Sequence, residues 1–189
     1  MDPPILESLQ GHFLMAMPNL LDPNFYRTVT FLCEHTHEGA MGIVVDRIHE
    51  DIAGEQIFKE LNISYLPENA KIPIHFGGPV HMNEIFILHG APFHWESCSE
   101  VSTGFALSNT MDILAAIAMG RGPSDYMIAL GCSGWAAGQL EMELKENAWL
   151  TCPATMEIAF EVPEALRWET AIKRMGIDPD LISDTAGHA

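Results

Sequence analysis

The stretch Tyr126-Met127-Ile128-Ala129-Leu130-Gly131-Cys132-Ser133-Gly134-Trp135-Ala136-Ala137-Gly138-Gln139-Leu140-Glu141-Met142-Glu143 decides how this chain is read. Its first five residues form a nearly unbroken apolar run, which suits a strand covered on both faces. Three glycines then surround a tryptophan before a helical pattern starts at about residue 137. Without a Cβ, glycine lets main chain approach main chain or a ligand, at an entropic cost that an ordinary connection avoids. The segment is expected to be a constrained turn between strand and helix. Trp135 is read as a large core side chain anchoring that turn, with ligand stacking as the alternative.

Upstream of this segment the pattern is mostly strand. Residues 12–17 are apolar, residues 19–24 read as a turn, and residues 27–33 are rich in β-branched and aromatic side chains. Residues 40–45 are read as the partner of that run in a hairpin, with the polar stretch 34–38 at its exposed tip. Asp51 is expected to cap a helix over 52–61, in which Ile57 and Leu61 share a face. Residues 72–76 and 85–89 read as a second hairpin, turned by Gly77-Gly78-Pro79-Val80. Residues 94–103 read as an irregular loop.

Ser108-Asn109-Thr110 leads into the strongest helical signal, residues 111–119, with Ile113, Leu114 and Ile117 inward and Gly120 as its stop. Beyond the opening segment, 157–160 reads as a last strand. Residues 163–175 read as a last helix with Leu166 and Ile172 inward. One domain is expected over 1–189, its tail from about residue 177 mobile.

Composition limits the functions open to such a chain. Its 189 residues allow burial of roughly 70% of the unfolded surface, so disulfides are not needed. Cys33, Cys98, Cys132 and Cys152 have neither C-x-x-C nor zinc-type spacing and read as free thiols in a reducing cytoplasm. No export signal or membrane span is expected, because the apolar stretch 13–21 is broken by Pro18. Nine Lys+Arg against 26 Asp+Glu give a net charge of −17, which repels phosphate backbones and argues against direct nucleic-acid binding. The densest basic group, Lys173-Arg174 with Arg167 nearby, reads as a solvated helix face.

Each candidate for chemistry has an ordinary counterpart. Ser133 after a strand resembles a nucleophile elbow, but the second glycine of that motif is replaced by Trp135. A triad ordered Ser…Asp…His has only His188 as its base. Gln139 and Glu143 share a helix face and are candidates for ligand contact or for hydrogen bonds inside the fold. His35-x-His37 with Glu34 and Glu38 has metal-ligand character, yet an exposed hairpin tip uses the same residue types. Gly77-Gly78 is either an anion nest or a tight turn. No cofactor and no metal is expected.

Several short motifs fall in one order along nearly the whole chain: residues 11–18, Asp22-Pro23-Asn24-Phe25, Glu34-His35, residues 38–42, Gly77-Gly78-Pro79-Val80, residues 131–141, Asn147-Ala148-Trp149-Leu150 and Gly187-His188-Ala189. Together they resemble the YqgE/AlgH family of bacterial proteins. The resemblance implies an α+β fold, a mixed and largely antiparallel bifurcated sheet or pseudo-barrel with helices packed outside. It implies a regulator label through a link to alginate regulation, and no catalytic or metal residues. Family motifs commonly have alanine where this chain has Ser133.

The leading expectation is a cytoplasmic protein that binds a protein or small-molecule partner without chemistry of its own. The candidate contact residues are His12, His35, Gly77, Gly78, Ser133, Trp135, Gln139 and Glu143. The rival is a hydrolase using His12, His35 or His75 with Ser133 or a carboxylate. A direct DNA-binding regulator is the third possibility, disfavoured by charge.

Overall fold

The computed structural model describes residues 7–182. Ten strands and four α-helices follow in chain order. They are β1 (His12–Ala16), β2 (Val29–Thr36), β3 (Gly39–Val44), β4 (Ile48–Ala53), α1 (Gly54–Glu60), β5 (Pro73–Phe76), β6 (Val80–His89), β7 (Cys98–Ser102) and β8 (Phe105–Ser108). The remainder are α2 (Met111–Ala118), β9 (Tyr126–Ala136), α3 (Gln139–Lys145), β10 (Trp149–Pro153) and α4 (Glu164–Arg174).

The apolar run at residues 126–130 does not end at the glycines. It continues through Trp135 as β9, an 11-residue strand, so the expected turn at Gly131 is in fact strand. β9 is where the sheet forks. Its first half lies between β5, parallel, and β6, antiparallel. Its second half, Ser133 to Ala136, pairs with β3. The strands run β10-β1-β2-β3-β9-β6-β8-β7, with β5 also on β9 and β4 outside β5. The fold is α+β with a bifurcated, largely antiparallel sheet.

This topology corrects the second hairpin. β5 and β6 do not pair; they flank β9, and residues 77–79 carry the chain across it. So short a crossing presses backbone onto backbone. A Cβ on Gly77 would fall onto the carbonyl oxygen of Gly131, one on Gly78 onto that of Cys132, and one on Gly131 onto that of Gly78. Gly77 donates its N–H to Leu130 O (2.9 Å), and its carbonyl accepts from Val44 N–H (2.8 Å). The glycines are there because three residues must cross a strand with no room for side chains.

Other expectations change for similar non-local reasons. Residues 48–53, read partly as the start of a helix, form β4, because β5 offers them an edge. α1 therefore begins at Gly54, with Ala53 N–H donating to Gln56 Oε1 (3.0 Å), and Asp51 is not its cap. The expected loop 94–103 holds β7, hairpinned onto β8. Trp149 opens β10, a strand the pattern did not suggest.

Residues 157–161 form a π-helical turn, not a strand, with Ala159 N–H donating to Thr155 O (3.1 Å) and both Ile158 and Ala159 fully buried. Alternation cannot survive where consecutive residues both face inward. In α4 the inward residues are Arg167, Trp168, Ala171 and Ile172. Leu166, expected inward, is 51% exposed, since six positions before Ile172 place it about 240° around the helix. In the tail expected to be mobile from about residue 177, Ile177 and Ile182 lie against the core while Leu181 is exposed, and residues 183–189 lie outside the described residues. His188 lies outside the described residues.

Three apolar clusters fill the layers. One joins β1, β2 and β8 to α4 through Phe13, Phe31, Phe105, Trp168 and Ile172. A second buries α1 and α2 on the fork through Phe58, Ile74, Ile113, Ile117 and Ile128. A third holds α3 through Leu14, Leu32, Trp135, Leu140 and Trp149. The α2 face, Ile113, Leu114 and Ile117, is as the pattern gave it.

Candidate functional site

Two regions hold the chain's unusual side chains. In the first, β9 hands over to α3. Trp135 is 6% exposed and donates its indole N–H to Glu143 Oε2 (2.9 Å). Trp149 donates to the same oxygen (2.7 Å), while Gln139 Nε2 donates to Glu143 Oε1 (2.9 Å) and Gln139 Oε1 accepts from Ala136 N–H (3.0 Å). Phe25 lies against both indoles, 6.2 and 5.6 Å from them. Glu143 is the bolt tying one helix to two strands, and both of its oxygens are taken.

Three of the expected contact residues, Trp135, Gln139 and Glu143, thus meet, joined by Trp149. The others are placed apart from that group or inside the sheet. Ser133 is fully buried and donates to Gly77 O (3.2 Å), so the hydroxyl serves the crossing and does not face a histidine. Gly77 and Gly78 form the crossing itself, where carbonyls crowd in and no anion nest opens. His12 is half-buried on β1, with Nδ1 3.4 Å from Gln10 O.

His35 departs most from expectation. The hairpin tip is only His37 and Glu38, because a bulge after Leu32 lets β2 run on to Thr36 and turns His35 inward. It is 7% exposed; Leu9 N–H donates to Nδ1 (3.0 Å), and Nε2 donates to Glu141 Oε1 (2.9 Å). The lone pair is on Nδ1 and the proton on Nε2. Burial pushes the Glu141 carboxyl up, but the His35 bond and the helix's own N–H leave it below its ordinary value.

A serine–histidine pair that the sequence did not suggest lies between β6 and β8. The Ser108 hydroxyl is 2.9 Å from His89 Nε2, and His89 Nδ1 donates to Gly90 O (2.7 Å). Nucleophile, base and orienting group are in place, yet both side chains are sealed in the core, and burial pushes the His89 pKa down. The thiols of Cys33, Cys132 and Cys152 are all pushed up by burial, which leaves them inert. Among the described residues no cluster of His, Cys, Asp or Glu is arranged to hold a metal.

The second region lies between α4, the loop before β2 and the β3–β4 link, where Arg27, Asp46, Arg47, Glu164 and Trp168 surround a cavity of about 290 Å³. Its construction starts in the Asp22-Pro23-Asn24-Phe25 motif. Asp22 Oδ1 accepts from Asn24 N–H (2.9 Å), and Asp22 O accepts from Phe25 and Tyr26 N–H (3.0 and 3.1 Å). This winds the chain so tightly that Arg27 adopts a φ of 51°, a region other residues than glycine seldom occupy. The Arg47 guanidinium clamps the turn from below, donating to Pro23 O (2.8 Å), Asn24 O (3.1 Å) and Tyr26 O (2.8 Å).

Arg27 itself is spread over the Trp168 ring, 4.6 Å from its centre. Trp168 is held by its indole N–H on Ala16 O (3.0 Å). Asp46 Oδ1 accepts from Val29 N–H (3.0 Å). Burial pushes that carboxyl up to about 7, against the pull of Val29 N–H and of the Arg47 and Arg167 guanidiniums. Glu164 is pulled down to about 2, first by His75, whose Nε2 is 3.3 Å away, then against burial by Arg167. His75 is buried and neither ring nitrogen has an aligned hydrogen-bond partner.

Arg167 is 4% exposed and donates to Val45 O and to Val162 O (2.8 Å), so it is not on a solvated face as its neighbours in sequence suggested. The sequence signals here were the Asp-Pro-Asn motif and an arginine directly after Phe25-Tyr26. Neither says what it will meet 140 residues later.

A family model described as AlgH-like matches residues 13–180 of this chain. A UPF0301 protein of Desulforapulum autotrophicum is 46% identical over 181 residues, covering 96% of each chain. One of Thioalkalivibrio sulfidiphilus is 45% identical over 179 residues, covering 95% of this chain and 96% of that one. The solution structure of the AlgH protein from Pseudomonas aeruginosa has a TM-score of 0.79 at 42% identity, with all of both chains covered. A crystal structure of a Corynebacterium diphtheriae protein shares the fold, with a TM-score of 0.70 at 18% identity over 92% of this chain and 91% of the other.

Proposed function

This chain belongs to the AlgH-like family, and from that premise we propose that it is a cytoplasmic regulator that works by binding, without chemistry of its own. Its ligand is a small molecule taken at the cavity under α4. The observation that carries this is the Arg27 guanidinium: among the described residues no carboxylate or carbonyl accepts from it, although it borders a cavity with Asp46, Glu164 and Trp168. An exposed charge laid over an indole at the edge of a cavity, on a backbone conformation few residues adopt, fits a group kept for a ligand.

The hydrolase reading has less support. Ser133 is spent on Gly77 O, and the Ser108–His89 pair has no opening to a substrate. The net charge of −17 continues to weigh against direct DNA binding. No helix among the described residues is long and apolar enough to cross a membrane.

A fragment screen on the full chain, followed by two-dimensional amide NMR, tests the proposal. The expected shifts gather at Arg27, Asp46, Arg47 and Trp168. Shifts confined to the Trp135 and Gln139 region would move the site elsewhere, and turnover of ester fragments would restore the hydrolase.

A further inference from the structure

The cavity's charges also say what class of ligand it takes. The chain has nine basic residues in all, five of them arginines. Three of those five, Arg27, Arg47 and Arg167, converge within one neighbourhood: Arg27 and Arg47 line the cavity, and Arg167 is paired with Glu164 on its rim. In a molecule with net charge −17 this is a concentration of positive charge, three arginines set among Asp46, Glu164 and Glu169.

The three are not equivalent. Arg167 spends its donors on Val45 O, Val162 O and, at 3.6 Å, Glu164. Arg47 spends three N–H bonds on the loop that carries Arg27. These two build the site. Of the three, Arg27 alone has no protein acceptor among the described residues, and its guanidinium carbon lies over the Trp168 ring, 4.6 Å from the centre.

A planar guanidinium matches the two oxygens of a carboxylate or the oxygens of a phosphate, which accept from it side by side. The same lining supplies acceptors: Glu164, which also meets His75 and Arg167 (3.3 and 3.6 Å), and Glu169, which is 3.6 Å from Lys173. A volume of about 290 Å³ is at the small end of ligand cavities.

Resting on the binding reading above, we propose that the cavity takes a small organic anion, a carboxylate or phosphate monoester that also carries a hydroxyl or amino donor, with its charge on Arg27 and its donor toward Glu164. Arg27 is the specificity-determining residue. Trp168 and Arg47 position it.

The experiment is a titration of the full chain with inorganic phosphate, glycolate and the uncharged glycolamide, followed through the Arg27 Nε–H and Trp168 indole resonances and by calorimetry. Phosphate and glycolate are expected to shift both resonances saturably, and the stronger of the two identifies the source of the anion. Glycolamide is expected to bind at least about tenfold more weakly. Arg27→Gln is expected to weaken both anions by about tenfold or more, and Arg27→Lys, which keeps the charge but not the fork, to lie between. Melting curves of both variants check that the fold is kept.

Anions that bind Arg27→Gln as well as the unaltered protein, or no better than glycolamide, would overturn the assignment. If glycolamide or other neutral fragments shift the cavity resonances and the anions do not, the ligand class falls while the binding reading stands. If nothing shifts them, both fall.

Discussion

The β9–α3 junction and the cavity under α4 are built from the same kinds of residue, tryptophans beside carboxylates and long polar side chains, and they end in opposite states. At the junction the side-chain donors meet acceptors inside the fold, two indoles and an amide on one Glu143 carboxylate, and at the crossing beside it Ser133 donates to Gly77 O. Under α4 the set is looser: exposed Arg27 has no protein acceptor among the described residues, Asp46 is reluctant to ionise, and His75 meets Glu164 at 3.3 Å out of hydrogen-bond alignment. Sequence strangeness therefore has two sources. A closed set of hydrogen bonds marks a place that holds the fold, and an incomplete one marks the place where the proposed ligand would sit.

This contrast can be broken by mutation, and the largest effect is expected at the strand crossing. Gly77→Ala puts a methyl group onto the Gly131 carbonyl, backbone that cannot step aside, and is expected to destabilise by about 5 kcal/mol or to prevent folding. Urea unfolding measures it. Trp135→Ala is expected to cost about 3–5 kcal/mol in the same assay, because it opens a hole between Phe25 and Trp149 and strips Glu143 of one donor. A variant with an unchanged melt would show that Trp135 is not part of the core.

On the cavity side the expected effects are smaller, and the first has the opposite sign. Asp46 holds its proton more tightly in the folded chain, at about 7 against an ordinary 3.8, so its contribution to stability declines as pH rises between those values. Asp46→Asn keeps the acceptor for Val29 N–H and removes the buried charge. It is expected to gain on the unaltered protein from pH 4 to 7 and to be more stable by about 1–3 kcal/mol at pH 8, read from thermal melts across pH. Glu164 works the other way: its carboxyl falls from 4.5 to about 2, so the stability it lends is full above pH 4.5 and disappears as pH drops toward 2. Smallest of all, Arg27→Gln is expected to stay within about 0.5 kcal/mol, since the side chain is exposed and its contact with Trp168 is its main tie.

What could be read from the sequence was what is settled locally. The α2 helix followed from Thr110, its apolar spacing and Gly120, and the residue 126–130 strand from its covered, apolar run. Of the three glycines around Trp135 read as places of close main-chain approach, Gly131 is one and Gly134 and Gly138 are not; the partner of Gly131 was hidden, because the link after β5 meets it only once β9 has come between β5 and β6. Pairing across distant strands leaves no local mark on β4, β7 or β10. His35 escaped because a bulge, invisible in composition, turns it inward. The cavity escaped for the same reason: Arg27, Asp46 and Trp168 come from three separate stretches, and each looks ordinary alone.

Side-chain hydrogen exchange compares the two regions in a single experiment. In the full chain without added ligand, the Trp135 and Trp149 indole protons are expected to exchange only as fast as the protein unfolds globally, while the Arg27 Nε proton exchanges at close to the rate of a solvated guanidinium. Indole protons at the β9–α3 junction that exchange as freely as Arg27, or an Arg27 proton as protected as theirs, would contradict the division between a closed junction and an open cavity.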